Sequence, residues 1–259
     1  MGSSQMQGVL WGAAAHDWAR LQEPLHRPLW EAMLETSNIG PGTHLLDAGC
    51  GSGGASSLAV QRDADVKGLD ASTALIDIAR QRAPAAEFWV GDLEDLPYDA
   101  EEFDVVFASL SVQYAADPVA ALRELKRVCD PAGRLAISTW GPEQECEQRV
   151  LFEAIRAILP SPPQGAGPFA LSAPGQLEAF VEQPGWQVAA REEVTCPFVY
   201  PDLATHWRAQ RSAGPVQAAI RTVGEERVRI VVEEAVAPYR TSDGRVRLNN
   251  CFVYVVATG

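Results

Sequence analysis

Between positions 43 and 140 the chain alternates short apolar runs with longer stretches of helical periodicity, and this alternation constrains the fold more than any other feature. The runs are 43–48, 66–70, 86–90, Phe103–Ser109 and 133–140, and the stretches at 54–61, 72–82 and 118–129 space their apolar residues as helices do. Strands apolar on both faces must be covered on both faces, which calls for a parallel sheet between two helix layers. Right-handed crossovers then yield a doubly wound, Rossmann-like α/β core.

The flanking segments read differently. Positions 13–21 and 24–36 carry Trp18 and Leu21, then Leu25, Leu29, Trp30, Met33 and Leu34, on one stripe, and Asn38-Ile39-Gly40-Pro41-Gly42 ends them with turn chemistry. Residues 1–42 are therefore expected to form a helical cap and 43–140 the ligand-binding core. After Trp140, helices are expected at 143–159 and 174–182, with Pro160-Ser161-Pro162-Pro163-Gln164-Gly165 as a rigid connection between them. Gln187–Tyr200 and 245–257 read as long strands, with helical segments at 202–212 and 225–239 between them. An antiparallel C-terminal hairpin with a helical insertion would complete a mostly parallel sheet, making 141–259 sheet completion plus a substrate-binding lid.

The sharpest local signal is Leu45-Leu46-Asp47-Ala48-Gly49-Cys50-Gly51-Ser52-Gly53-Gly54, a strand running into a glycine-rich turn that opens a helix. Glycines serve where the backbone takes positive φ or approaches a ligand, and the helix start offers free N–H groups. Gly49, Gly51 and Gly54 also satisfy the dinucleotide spacing, and a glycine turn can serve packing alone. Asp70 closes the second strand about 20 residues beyond Gly49, where a carboxylate accepts from both hydroxyls of an adenosine ribose. Nicotinamide dinucleotides and S-adenosylmethionine share that ribose. Asp47 bears on the choice, because a carboxylate beside the turn repels a pyrophosphate and favours a ligand carrying ammonium and sulfonium. Asp92 and Leu93 follow the third strand, where they could bind the adenine amine and a ring nitrogen. Asp104 begins the fourth strand, away from the ligand crevice, and reads as structural.

In order, Leu46-Asp47-Ala48-Gly49-Cys50-Gly51-Ser52-Gly53, Gly68-Leu69-Asp70-Ala71-Ser72, Gly91-Asp92-Leu93-Glu94-Asp95-Leu96-Pro97 and Phe103-Asp104-Val105-Val106 resemble the motifs of class I S-adenosylmethionine-dependent methyltransferases, closest to the ubiquinone/menaquinone-biosynthesis-like branch that modifies small molecules. The resemblance implies S-adenosylmethionine as cofactor and S-adenosylhomocysteine as product. It implies Gly49 and Gly51 against the methionine half, Asp70 at the ribose, Asp92 with Leu93 at the adenine, and Ser109 beside the sulfonium, with Ala71 also counted as cofactor-binding. Trp18 of the cap is counted with the cofactor site. Where relatives often carry a His pair after the fourth strand, this chain has Gln113-Tyr114, so no acceptor base is carried over there.

Methyl transfer needs alignment first, worth about 7–11 kcal/mol, and a general base only for some acceptors. His206, Tyr114 and His16 are the candidate catalytic groups, and Trp140, Phe198 and Tyr200 the expected walls of an acceptor pocket. His44 starts a strand at the far end of the sheet, and His26 is expected to be solvated on a cap helix. Cys50 lacks a neighbouring base and reads as a small turn residue. The function expected is methyl transfer to a small, largely apolar metabolite. The alternatives are an S-adenosylmethionine-binding protein without methyl transfer (sensor, accessory subunit or non-methylating enzyme) and a nicotinamide-dependent oxidoreductase.

Composition narrows the partners. With 21 Lys and Arg against 34 Asp and Glu, the net charge of −13 opposes a nucleic-acid backbone. No apolar run reaches the ~20 residues of a membrane span. Positions 1–10 lack the pattern of a signal peptide. The five scattered cysteines show no zinc spacing, so a metal-free cytoplasmic protein is expected, as monomer or homodimer.

Overall fold

The computed structural model describes residues 3–161 and 167–259; part of the proline-rich connection at 160–165 lies outside the described residues. One seven-stranded sheet organises them, from β1 (His44–Ala48), β2 (Asp65–Asp70), β3 (Glu87–Val90), β4 (Phe103–Ser109), β5 (Cys129–Trp140), β6 (Gln187–Tyr200) and β7 (Val246–Thr258). The spatial order is β3-β2-β1-β4-β5-β7-β6. The first five strands are parallel, and β7 pairs antiparallel with both β5 and β6. The protein is thus a Rossmann-like α/β fold with an antiparallel C-terminal hairpin. Strand order reverses between β1 and β4, and the crevice outside the carboxyl ends of the strands opens at that switch point.

Adjacent residues of each strand feed opposite cores. Leu45, Val105 and Phe107 join one cluster, while Leu46, Val106 and Leu135 join the other, and each of these side chains is buried. Helices α4 (Gly54–Val60), α5 (Thr73–Arg82) and α6 (Pro118–Val128) cover the parallel part. Their starts are fixed locally: Ser72 accepts from the Leu75 N–H, and Asp117 accepts from the Val119 and Ala120 N–H groups ahead of Pro118.

The N-terminal segment departs from its periodicity. A helix α1 (Ser3–Gly12) precedes the expected one, and 13–21 contains only the short α2 (Ala15–Asp17) before a π-helical turn, Trp18–Gln22, and a 3₁₀ turn, Glu23–His26. Pro24 cannot donate a backbone hydrogen bond, so the chain tightens there before α3 (Arg27–Thr36). The fifth strand is also longer than its apolar run, because Cys129 pairs with Phe103 across a register break.

Beyond β5 lie α7 (Arg149–Ile158), α8 (Gln176–Glu182), α9 (Leu203–Arg211), α10 (Gly214–Val223) and α11 (Glu225–Val236). The periodicity assigns no element to α10, whose first residues are Gly214-Pro215. In the fold that pair begins the helix, with Pro215 in its first turn. Helix α10 packs on α1, α11 on α7, and α9 on the 18–22 turn. Asp17 pairs with Arg208 at 2.5 Å across the same seam. The insertion between β6 and β7 and the N-terminal segment therefore meet over the carboxyl ends of the sheet. No helix of the described residues is long and apolar enough to cross a membrane.

Candidate active site

The glycine loop is shaped by its backbone. Gly49 has φ +82°, and a Cβ there would come within 2.2 Å of the Ser111 Cβ, so only glycine fits the turn. The Gly49 and Cys50 N–H groups donate to the Leu69 carbonyl at 2.7 and 2.9 Å, tying the loop to β2. The Asp70 carboxylate accepts from the Gly51 N–H at 3.0 Å and the Ser72 N–H at 2.8 Å.

The start of α4 already holds an anion. Glu23, 3% exposed, reaches in from the cap. It accepts from the Ser52 N–H at 2.7 Å and from the Ser52 hydroxyl, from Trp18 Nε1 at 3.1 Å, and from Arg82 at 2.5 Å. A second anion such as a pyrophosphate finds this end of the loop taken.

Asp47, Asp70 and Glu23 gather around one loop. Desolvation raises the Asp47 carboxyl to about 7, against the hydrogen bond donated by the Ser56 hydroxyl at 2.5 Å, and Glu23 and Asp70 push it further up. Desolvation also raises Asp70 to about 6. These groups line one crevice of about 1370 Å³, open mouth included. It runs from the loop past Asp92, Leu93 and Ser109 to Trp140 and Val216. Four acids line it and, among the described residues, no Lys or Arg does. The donor set fits a cationic nucleoside and disfavours a diphosphate.

Every expected cofactor residue lies on this crevice: Trp18, Asp47, Gly49, Gly51, Asp70, Ala71, Asp92, Leu93 and Ser109. Ser109 shares a 3.1 Å hydroxyl contact with Ser138, and Asp92 accepts from the Glu94 N–H at 3.0 Å. Asp104 accepts from the His44 N–H at the opposite end of the sheet, as its strand position implies. Cys50 is buried and its thiol is pushed well up by desolvation, which suits a turn residue rather than a nucleophile.

The acceptor side needs correction. His16 is exposed and does not line the crevice. His206 is fully buried beside Tyr200, with both ring nitrogens unpartnered among the described residues, and it too lies off the crevice. Tyr114 and Trp140 line it. Burial pushes the Tyr114 hydroxyl up to about 12, which keeps it a donor near neutral pH. Phe198 and Tyr200 stand one layer back. Phe198 packs on His26 and Trp140, and the Tyr200 hydroxyl donates to Gln22 Oε1 at 2.7 Å.

Several polar lining residues escaped the sequence reading, Glu23 among them. Gln22, Gln148 and Gln210 form a buried amide chain in which Gln148 Nε2 donates to Gln210 Oε1 at 2.6 Å, leaving Gln148 Oε1 unpartnered among the described residues. His26, expected in solvent, is 5% exposed. Its Nδ1 contacts the Glu23 carbonyl at 3.1 Å, and burial lowers its basicity to about 4 against that bond. A polar residue beside an apolar stripe, as Gln22 and His26 are, was the available signal.

Residues 46–137 match a family model described as a methyltransferase domain. The chain is 41% identical over 115 residues to a malonyl-[acyl-carrier protein] O-methyltransferase of Serratia marcescens, covering 44% of this chain and 45% of that protein. It is 34% identical over 157 residues to an uncharacterized protein of Mycobacterium tuberculosis, covering 59% and 57%. The matches thus span about half the length of these curated relatives. Among solved structures, a putative methyltransferase from Bacillus halodurans superposes with TM-score 0.61 at 15% identity, over 88% of this chain and 97% of that one. The [4+2]-cyclase SpnF superposes with TM-score 0.58 at 20% identity, over 89% and 80%. These two show the fold. The family match thus marks residues 46–137 as a methyltransferase domain, and the motif order and the acid-lined loop fit S-adenosylmethionine as its cofactor.

Proposed function

We propose that the protein transfers the methyl group of S-adenosylmethionine to a small, largely apolar acceptor held between the N-terminal cap (1–42) and the region after Trp140. The observation that carries this reading is a single continuous crevice with two characters. It is acidic where Glu23, Asp47 and Asp70 meet the glycine loop, and Trp18, Trp30, Trp140, Phe152 and Val216 give it apolar walls.

The cofactor supplies an electrophilic methyl on positive sulfur; the protein's residues supply position and a dry site. Asp47 and Glu23 favour the cationic end, Asp70 accepts from the ribose, and Asp92 and Leu93 hold the adenine. Packing of α9 and α10 on the N-terminal segment walls one side of the acceptor chamber. The similarity to an O-methyltransferase supports oxygen as the atom methylated.

Calorimetry with S-adenosylmethionine and with NADH tests the cofactor, and formation of S-adenosylhomocysteine tests transfer. Binding of the sulfonium ligand and none of NADH is expected. NADH binding without response to S-adenosylmethionine would overturn the reading.

A further inference from the structure

We propose that His26 is the catalytic proton acceptor of the transfer and that the methyl acceptor is a neutral aryl alcohol whose hydroxyl docks on His26 Nε2. This rests on the methyl-transfer reading above. A carbonyl oxygen can only accept, so the 3.1 Å contact between Nδ1 and the Glu23 carbonyl fixes the ring proton on Nδ1. Nε2 is then a bare lone pair. It has no hydrogen-bond partner among the described residues, and the ring lines the crevice.

The ring is also held in place. Trp18, Trp30, Phe198 and Phe252 surround it at centroid distances of 6.1, 6.2, 5.1 and 5.5 Å. Two of these neighbours rest on the glycine loop: a Cβ on Gly51 would lie 3.7 Å from the Trp18 ring nitrogen, and one on Gly54 would lie 2.6 Å from the Trp30 ring. His26 is therefore one side chain away from the cofactor end of the crevice. None of the other three histidines lines it: His16 and His44 are exposed, and His206 is buried behind Tyr200.

The surroundings choose the substrate class. Four lining acids, with no lining cation among the described residues, repel a carboxylate or phosphate acceptor, and the aromatic walls suit a flat apolar body. Burial makes His26 a weak base, so the hydroxyl must be acidic: an aryl hydroxyl near pKa ~10 yields its proton far more readily than an alkyl one near the ~16 of water. In the step, an oxygen lone pair forms the new O–C bond and the methyl–sulfur pair leaves with sulfur. The phenolic proton passes to Nε2, and the weakly basic ring returns it to water after product leaves.

The test uses the full chain saturated with S-adenosylhomocysteine, with 2-naphthol and 2-methoxynaphthalene as probes. Long-range ¹H–¹⁵N spectra are expected to show His26 as the Nδ1–H tautomer. Its Nε2 resonance should shift with 2-naphthol and stay put with the ether. The naphthol should bind about tenfold more tightly than the ether, and His26→Asn, which retains a donor for the Glu23 carbonyl, should lose that preference. A proton found on Nε2 would overturn the proposal. So would equal affinity for the two probes, binding of neither, or a preference that survives His26→Asn with S-adenosylhomocysteine still bound. Failure of the wild type to bind S-adenosylhomocysteine would instead overturn the methyl-transfer reading.

Discussion

Glu23 closes on Ser52: one carboxylate from the N-terminal segment accepts both the backbone N–H and the hydroxyl of the residue at the heart of the glycine loop. The two are 29 residues apart in sequence, yet the contact joins the N-terminal segment to the glycine loop and satisfies donors at the start of α4 from within the chain. Arg82, at the end of α5, completes the clasp from the other side.

Removing that carboxylate should cost both stability and affinity. Glu23→Ala leaves the Ser52 and Trp18 donors and the partly exposed Arg82 without their acceptor, a loss of about 2–3 kcal/mol. Chemical denaturation is expected to show this loss, and calorimetry a weaker response to S-adenosylmethionine. A variant as stable as the wild type would mean that water replaces the clasp.

Asp70→Ala should weaken S-adenosylhomocysteine binding by about 1–3 kcal/mol, because the ribose hydroxyls lose their acceptor and the Gly51 and Ser72 N–H groups lose theirs. Titration calorimetry measures it. Unchanged affinity would move the ribose elsewhere.

Cofactor binding should depend on pH. Asp47 and Asp70 are raised to about 7 and about 6 without ligand, so both are partly protonated near pH 6. A bound cation favours their ionised forms, lowers both values and releases protons. Affinity for S-adenosylmethionine should therefore rise by about tenfold from pH 5.5 to 7.5, with proton release seen by calorimetry in buffers of different ionisation enthalpy. Asp47→Asn should flatten the rise, and a flat wild-type profile would remove these acids from the interaction.

Stability should fall on the acid side for a different reason. His26 and His206 are lowered by burial from 6.5 to about 4. Each depressed group contributes stability that is present above 6.5 and lost as pH falls through about 4, on the order of 3 kcal/mol apiece. Asp47 works the other way: its raised carboxyl favours the folded state below about 4, a contribution lost as pH rises through about 7. His206→Phe, which removes an unpartnered buried imidazole, should reduce the acid loss of Tm between pH 6.5 and 4. An unaltered slope would assign that loss to other groups.

The sheet and the acids at its strand ends were legible in sequence for one physical reason: each is written in a short contiguous stretch. Parallel strands buried on both faces must be continuous apolar runs, and strand β1 must be followed by Gly49 because Ser111 crowds its turn. Asp47, Asp70 and Asp92 sit at neighbouring strand ends, which the alternation places at one crevice edge.

What only the tertiary structure decided is which distant side chains come together over that edge. His26 has the surface signature of a cap helix, and packing against Phe198 and Phe252, far along the chain, buries it. His206 sits in an equally aromatic stretch, and the turn of α9 carries it behind Tyr200, off the crevice. Periodicity reports which face of an element is apolar, whereas the element that covers that face is set by long-range packing. The sequence by itself determined the doubly wound core and the three aspartates that line the crevice at its strand ends. The Glu23 clasp, the buried amide chain and the single crevice-lining imidazole exist only because the two ends of the chain fold over the same strand tips.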